Sequence, residues 1–229
     1  FDARVNVLGF LNLMEAARDH GLQKVVFAST GGAIYGEPEY VPQDEDHPLR
    51  PISPYGITKL TTEKYLHYYR HHYGIDAVIL RYANVYGPRQ NAHGDAGVVA
   101  IFSQQFLHGK RPVINGTGFQ TRDYVFVGDV VRANLDALDY EGSGVFNVGT
   151  GKETTVNYLF RLIRTEARSR ATMAHGPDKP GEQRRSAHSY ERAAQGLGWR
   201  PEVSVEHGLA QTVRWFRDER ERVPAGVAR

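Results

Sequence analysis

Short apolar runs alternate along the chain with longer segments in which apolar residues recur at helical spacing. The helical segments lie at 5–17, near 53–72, 97–107, 129–138, 156–167, 189–197 and 205–222. The apolar runs lie at 24–28, 76–82, 112–114, 122–127 and 144–149. Runs of this length are typical of strands buried on both faces of a parallel sheet. The alternation predicts an α/β fold, a parallel sheet with helices on both faces.

The segments between these elements carry local signals of their own. Gly21 and Gly74 follow the first two helical segments and predict their ends, and the helix at 129–138 is predicted to be capped near Gly128 or Asp129. Ser29 begins a Ser-Thr-Gly-Gly loop after the first strand, and the polar, proline-rich stretch 37–54 is expected at the surface.

Composition excludes several classes of protein. The 229 residues include no cysteine, so neither a disulfide nor a thiolate site is possible, and a cytoplasmic location is expected. A formal net charge of +2 is too small to indicate nucleic-acid binding. The chain has no apolar run near the roughly 20 residues that span a bilayer. The ten histidines form no ligand pattern, so we expect no metal, no nucleic-acid partner and no membrane association.

Tyr55 and Lys59 lie one helical turn apart within the segment Tyr55-Gly56-Ile57-Thr58-Lys59. A phenol titrates near pH 10, so a tyrosine base needs a neighbouring cation to lower its pKa. The pair alone is weak evidence for a catalytic site, since a packed ring beside an extended lysine is common on helices.

Three further motifs surround this pair in order along the chain. Residues 25–36 (VVFASTGGAIYG) form a strand that ends in hydroxyls and glycines, 80–89 (LRYANVYGPR) form a strand followed by a Gly-Pro turn, and 121–130 read TRDYVFVGDV. Together with Tyr55 and Lys59, from Asn6 to Pro201, they resemble the extended short-chain dehydrogenase/reductase family. Within it, they look most like the NAD-dependent epimerases and dehydratases of the UDP-glucose 4-epimerase type.

The resemblance implies a fold, a cofactor and a set of site residues. The fold would be a partial doubly wound, Rossmann-like parallel sheet (residues 1–86 and 120–150) with a smaller α/β substrate domain (87–119 and 151–229). The catalytic residues would be Thr30, Tyr55 and Lys59, and the residues that contact NAD would be Asn6, Ser29, Tyr55, Lys59 and Ala83. Ser29 is an alternative to Thr30 as the hydroxyl that bridges sugar and tyrosine.

A UDP-sugar is the implied substrate. Its ligands would be Asn84, Val98, Val99, Val113, Ile114, Asn115, Arg122, Lys179, Glu182 and Ser186. Lysine at 179 stands where many epimerases carry an arginine. It keeps the positive charge but lacks the two-pronged guanidinium, for which Arg184 or Arg185 would compensate. The valines are equally consistent with core packing, Arg122 with a surface ion pair to Asp123, and Ser186 with a residue that faces water.

The resemblance implies 4-epimerisation, in which Tyr55 removes the proton of the C4 hydroxyl while NAD takes the hydride. The glycine-rich turn that holds a pyrophosphate is not found in the sequence, so the chain is expected to lack the first NAD-binding segment, to bind NAD poorly and to be inactive alone. A homodimer is expected when the protein is full length. The alternatives are a 4,6-dehydratase or decarboxylase, disfavoured because residues 30–33 carry no carboxylate, and a non-catalytic, RNA-binding member of the family.

Overall fold

The structure, a computed structural model, describes residues 1–93, 97–179 and 183–222. A π-helical segment, Ala3–Gly9, leads into eight helices among these residues: α1 (Phe10–Asp19), α2 (Gly31–Ile34), α3 (Pro54–Tyr73), α4 (Val98–Leu107), α5 (Val127–Asp139), α6 (Val156–Glu166), α7 (Glu191–Gly196) and α8 (Val205–Arg222). The strands are β1 (Lys24–Thr30), β2 (Asp76–Tyr82), β3 (Asn84–Tyr86), β4 (Val113–Asn115), β5 (Thr121–Arg122), β6 (Tyr124–Phe126), β7 (Gly144–Val148), β8 (Thr154–Thr155) and β9 (Ala174–Gly176).

The largest sheet has three parallel strands in the order β1-β2-β7. Its register places Thr30 beside Tyr82 and Tyr82 beside Val148, so the three strands end at the same edge. In open α/β sheets the ligand site forms outside this carboxyl edge. The segments that leave the edge are therefore the first place to look for a site.

Helices cover both faces of this sheet, as the sequence predicts. On one face Ala77 and Ile79 of β2 pack with residues of α1 and α3. On the other face Val78 and Leu80 pack with residues of α5. Since neighbouring side chains of a strand point to opposite faces, β2 is buried on both. This confirms the doubly wound α/β fold.

A further core lies among α4, α6 and α8, where Phe102, Phe106 and Phe160 stack edge to face. Three two-stranded pairs lie beside it: β3 with β6 and β4 with β9, both parallel, and β5 with β8, which is antiparallel. The short strands β8 and β9 and the helix α2 are absent from the sequence prediction, because two to four residues give no measurable periodicity. The strand expected before the Gly-Pro turn is divided at Ala83 into the end of β2 and β3.

The long helix α3 begins and ends close to where its signals predict. The Ser53 hydroxyl accepts a hydrogen bond from the Gly56 amide at 3.1 Å, and Gly74 ends the helix with a φ of 70°. Gly56 also permits a close approach, because a Cβ there would lie 2.3 Å from the carbonyl oxygen of Ala33. The start of α3 is thereby held against the segment that follows β1.

Two of the sequence predictions are wrong around residue 123. The single strand expected at 122–127 is divided by Asp123 into β5 and β6, and α5 begins at Val127 instead of capping near Gly128 or Asp129. Asp129 is completely buried, and its Oδ2 accepts hydrogen bonds from the amides of Glu202 and Val203, both at 3.1 Å. Its side chain is used in a long-range contact and not as a cap.

The polar stretch 37–54 is not wholly at the surface, because Gln43, Glu45 and His47 are buried. The Glu45 carboxylate accepts a hydrogen bond from the Asn147 amide at 2.6 Å, and the Gln43 amide donates to Ala187 at 2.7 Å. Burial raises the pKa of Glu45. The stretch therefore contributes to the interior beneath β7.

Candidate active site at the carboxyl edge of the sheet

Tyr55 lies at the start of α3, above the end of β1, and its side chain is 41% exposed. Burial raises the pKa of its phenol, while a hydrogen bond with the Thr30 hydroxyl acts in the lowering direction. The structure thus brings together the tyrosine and the threonine that the sequence pairs.

Lys59 lies on the same face of α3 as Tyr55. Its Nζ donates a hydrogen bond to the Ala28 carbonyl at 2.9 Å and lies 4.8 Å from the centre of the Phe27 ring and 5.8 Å from that of Tyr55. Burial lowers the pKa of Lys59. The effect of Lys59 on the pKa of Tyr55, which the resemblance implies for the complete site, stays a prediction.

Ser29 and Thr30 have different surroundings, although both lie at the end of β1. The Ser29 hydroxyl is buried and donates to the Glu63 carboxylate at 2.5 Å. Glu63 in turn accepts two hydrogen bonds from Arg81, at 3.1 and 2.7 Å, inside the protein. The Ser29 hydroxyl is therefore bound to the buried Glu63–Arg81 ion pair, and Thr30 is the better candidate for the bridging hydroxyl.

The two other residues assigned to the cofactor, Asn6 and Ala83, are each held by a hydrogen bond. The side-chain amide of Asn6 donates to the Thr58 hydroxyl at 3.3 Å, which ties the π-helical segment to α3. Ala83 follows β2 and is buried, with its amide bonded to Val148 at 2.9 Å. The side-chain amide of Asn6 thus bonds across to α3.

Asn84 and Arg122 are linked through the backbone at Asp123. The Asn84 amide donates to the Asp123 carbonyl at 2.8 Å, and the exposed Asn84 side chain lies beside Gly32. Arg122 is half-buried, and its Nη1 donates to the Thr121 carbonyl at 2.7 Å. Asn84 therefore lies beside the loop that follows Thr30, and its backbone bond to Asp123 brings it next to Arg122 along the chain.

The Asp123 side chain is completely buried and joins three segments. It accepts hydrogen bonds from the Thr150 amide and hydroxyl at 2.9 and 2.6 Å, and from the amides of Gly151 and His188, both at 3.0 Å. A surface ion pair with Arg122 is therefore the wrong interpretation of Asp123. The sequence gives no signal for this role, because its partners lie 27 to 65 residues away.

The residues assigned to the uridine divide between core and surface. Val99 is buried in the core of α4, α6 and α8, and Val98 packs against that core. Ile114 is buried, whereas Val113 and Asn115 on either side of it are exposed. Packing accounts for Val99 and Ile114, and a contact of Val113 and Asn115 with a uridine stays a prediction.

A cavity of about 530 Å³ lies next to β5. It is lined by Thr117, Phe119, Gln120, Asp178, Lys179, Gln183, Arg184 and Arg185. Arg185 makes two hydrogen bonds to Glu153, at 2.9 and 2.6 Å, so Arg184 and Lys179 are the better candidates for binding an anion. Glu182 lies outside the described residues.

Ser186 does not face water. It is completely buried, and within the described part of the chain its hydroxyl has no hydrogen-bond partner. Two residues further on, His188 is also completely buried, next to Gly31 and 3.9 Å from the Asp123 carboxylate. Burial lowers the pKa of His188, and the charge of Asp123 acts in the opposite direction.

Residues 1–93, 97–179 and 183–222 offer neither a metal site nor a membrane-spanning helix. In these ranges no three histidine, aspartate or glutamate side chains converge as a metal ion would require. Within the same ranges, no helix is both long and apolar enough to cross a bilayer.

Comparison with known proteins places this edge of the sheet in context. Residues 2–149 match the model of the NAD dependent epimerase/dehydratase family. A putative UDP-glucose 4-epimerase of Methanocaldococcus jannaschii is 45% identical, over 95% of this chain and 71% of that protein. The crystal structure of UDP-glucose 4-epimerase with UDP-glucose from Thermotoga maritima has a TM-score of 0.93 and 47% identity, over 95% of this chain and 71% of its own.

A third similar structure is the Thermus thermophilus UDP-glucose 4-epimerase in complex with NAD, with a TM-score of 0.88 and 44% identity, over 94% of this chain and 71% of its own. A family model that covers most of the chain and relatives of this identity agree with the motifs and with the fold. The chain belongs to the NAD-dependent epimerase/dehydratase family.

Proposed function

We propose that this protein is a nucleotide-sugar 4-epimerase of the UDP-glucose/UDP-galactose type. The observation that carries the proposal is the cluster of Thr30, Tyr55 and Lys59 at the carboxyl end of β1. A half-exposed phenol with a hydroxyl and an ammonium beside it is suited to moving a proton to and from a sugar hydroxyl. The proteins named UDP-glucose 4-epimerase, at 44–47% identity, support the same reaction.

The residues at this edge fit the nicotinamide end of NAD. Lys59 and Tyr55 are partly exposed polar groups above the end of β1, and Ala83 offers a small apolar surface at the end of β2. The glycine-rich turn typical of pyrophosphate binding does not occur in the 229 residues, so these side chains are assigned only to the nicotinamide and its ribose. When bound, NAD supplies the hydride acceptor and donor at C4 of the sugar.

The protein side chains then have separate tasks. Tyr55 takes the proton of the C4 hydroxyl and later returns it, and Thr30 bridges the two oxygens so that the transfer distance stays short. Lys59 holds the ribose and favours the phenolate once the site closes around a ligand, because burial strengthens the attraction between opposite charges. Asn84 and Arg122 hold the diphosphate, for which the planar fork of arginine is suited.

Two rival functions make different demands on the site. A dehydratase or decarboxylase needs a carboxylic acid next to the bridging hydroxyl, and Gly31, Gly32 and Ala33 follow Thr30 instead. An RNA-binding member would need a basic surface and no intact Tyr55–Lys59 pair, and the net charge is only +2. Both observations favour the epimerase.

The direct test uses the intact protein that carries these residues, supplied with NAD⁺ and UDP-galactose. Formation of UDP-glucose supports the proposal. A 4-keto-6-deoxy product would show a dehydratase instead. Binding of RNA that weakens steeply with salt, without turnover of either sugar, would favour the non-catalytic member.

We also propose that the protein is a homodimer and that its substrate domain comprises 87–119 and 151–229. Exposed apolar side chains on α1 and α3 support the dimer, among them Leu13, Ile57 and Tyr68. The separate core of α4, α6 and α8 supports the domain division, although Tyr86, Tyr124 and Phe126 contribute to it from outside those ranges. Sedimentation of the intact protein and of an Ile57→Glu variant tests the proposed dimer. We expect the wild type to sediment as a dimer and the Ile57→Glu variant as a monomer.

A further inference from the structure

Two glycines follow Thr30, so the position of its hydroxyl depends on contacts made from outside the loop. Thr30 is the last residue of β1, and Gly31 begins the one-turn helix α2. The far end of α2 is held by α3, through the close approach of Gly56 to the Ala33 carbonyl. Neither Gly31 nor Gly32 has a side chain that could anchor the near end. The group that contacts Gly31 therefore helps to set the position of the Thr30 hydroxyl.

The side chain of His188 contacts Gly31 from the interior of the protein. A Cβ placed on Gly31 would lie 2.7 Å from both Cδ2 and Nε2 of the His188 ring, closer than a real side chain tolerates. Gly31 lies in a helix and does not have a positive φ, so a left-handed backbone does not explain the glycine. Glycine at 31 instead makes room for the imidazole.

The ring of His188 is held on its other sides as well. The His188 amide donates to the Asp123 carboxylate at 3.0 Å, and a parallel β-bridge joins His188 to Gln43. A Cβ placed on Gly149 would lie 3.1 Å from the Cβ of His188, and the centre of the Tyr35 ring lies 5.8 Å from that of the imidazole. The imidazole is therefore a fixed support for Gly31.

The contact between His188 and Gly31 is one of shape and not of charge. Within the described part of the chain, neither nitrogen of the buried ring has a well-formed hydrogen bond. Burial, which lowers the pKa of His188, outweighs the Asp123 charge and the Gly31 backbone, which raise it. The ring is therefore neutral near pH 7 and acts on the loop through its volume.

We propose that His188 is a positioning residue: its ring supports Gly31 and thereby holds the Thr30 hydroxyl within hydrogen-bond reach of Tyr55. The inference rests on the proposed function, in which Thr30 bridges the sugar and Tyr55. His188 itself does not touch the reacting atoms. A displacement of about 1 Å can cost a hundredfold in rate, so a void behind Gly31 is sufficient to slow the proton transfer.

Turnover of UDP-galactose by the intact protein with NAD⁺ tests the proposal through two opposed changes. His188→Ala removes the support and should lower kcat by about tenfold to a hundredfold with little change in KM, because the groups that bind the substrate remain. Gly31→Ala displaces the loop from the ring and should also lower kcat. In the double variant the new methyl group enters the vacated space, so its loss should be smaller than the product of the two single losses.

Two controls separate positioning from a general loss of stability. His188→Leu fills a similar volume without polar atoms and should keep kcat close to the wild-type value. Ile163→Ala opens a void in the separate core of α4, α6 and α8, so it should lose stability in urea without a loss of kcat. An equal fall in kcat for Ile163→Ala would contradict the proposal, because any void would then slow the enzyme.

The remaining outcomes distinguish the positioning role from the proposed function. A wild type that turns over UDP-galactose, with His188→Ala equally fast, would overturn the role of His188 and leave the proposed function standing. Single losses that multiply in the double variant would also refute it, since Gly31 and His188 would then act independently. If His188→Ala does not fold, a Gly31→Ala variant with wild-type kcat overturns the proposal in its place. A wild type without turnover would overturn the proposed function, and this inference with it.

Discussion

The buried ion pair between Glu63 and Arg81 allows a quantitative test of how the site is held. Both side chains are 5% exposed, and the carboxylate accepts Nε and Nη2 of Arg81 at 3.1 and 2.7 Å. It also accepts the hydroxyl of Ser29, the residue before Thr30. Glu63 thus connects α3, which carries Tyr55, with the ends of β1 and β2.

Glu63→Ala should destabilise the protein by about 3–5 kcal/mol, because it leaves the Arg81 guanidinium buried without its charge partner. This is a large part of the total of about 5–15 kcal/mol that typical domains possess. Glu63→Gln retains one acceptor and the volume, so its loss should be smaller. The guanidinium of Arg81 cannot lose its charge to escape the penalty, because the pKa of an arginine lies far above neutral pH.

Equilibrium unfolding in urea measures the effect, with Glu39→Ala as the control. Glu39 pairs with Arg50 at 2.5 Å, but the two side chains are 48% and 72% exposed, so the loss there should be at most about 1 kcal/mol. Equal losses for Glu63→Ala and Glu39→Ala would refute the reasoning. So would a Glu63→Ala variant with nearly wild-type stability.

Three further predictions concern the site and its support. Lys59→Ala in the intact protein should lower turnover and move its pH profile to the alkaline side, since the phenolate of Tyr55 loses its cation; a pH profile unchanged in position would contradict this. Because burial lowers the pKa of His188, the unfolded chain binds a proton below about pH 6.5 that the native chain does not. Stability should therefore fall from pH 7 to 5 with a slope of up to about 1.4 kcal/mol per pH unit from this residue, a slope that His188→Gln removes and the exposed control His71→Gln retains. The resemblance places Ser186 at the family position that faces the C2 substituent of the sugar, where a small residue leaves room for an N-acetyl group. The intact enzyme should therefore convert UDP-N-acetylglucosamine as well as UDP-glucose, and Ser186→Tyr should abolish only the former; an unchanged ratio of the two activities would show that Ser186 does not control access.

Local sequence signals were sufficient to predict an element where it is long and specific residues mark its ends. Ser53 and Gly74 mark the two ends of α3, and β2 occupies the predicted residues 76–82. From α3 and the end of β1, the pair of Tyr55 and Thr30 could be placed together, since both lie at the carboxyl edge of a parallel sheet.

The interior polar contacts could not be predicted in this way. Asp123, Asp129 and Glu45 are charged residues in polar or turn-like sequence, and each is buried by partners far along the chain. Their burial depends on amides that only the folded chain brings close.

The central claim is that Tyr55 is the general acid and base of a UDP-sugar 4-epimerase. The most direct measurement is the turnover of UDP-galactose to UDP-glucose by the intact protein with NAD⁺, compared among wild type, Tyr55→Phe and Tyr65→Phe, a control on the same helix. Tyr55→Phe should lose at least about a hundredfold in kcat, the usual effect of removing a general acid/base, while Tyr65→Phe retains activity. A Tyr55→Phe enzyme that turns over at nearly the wild-type rate would contradict the account.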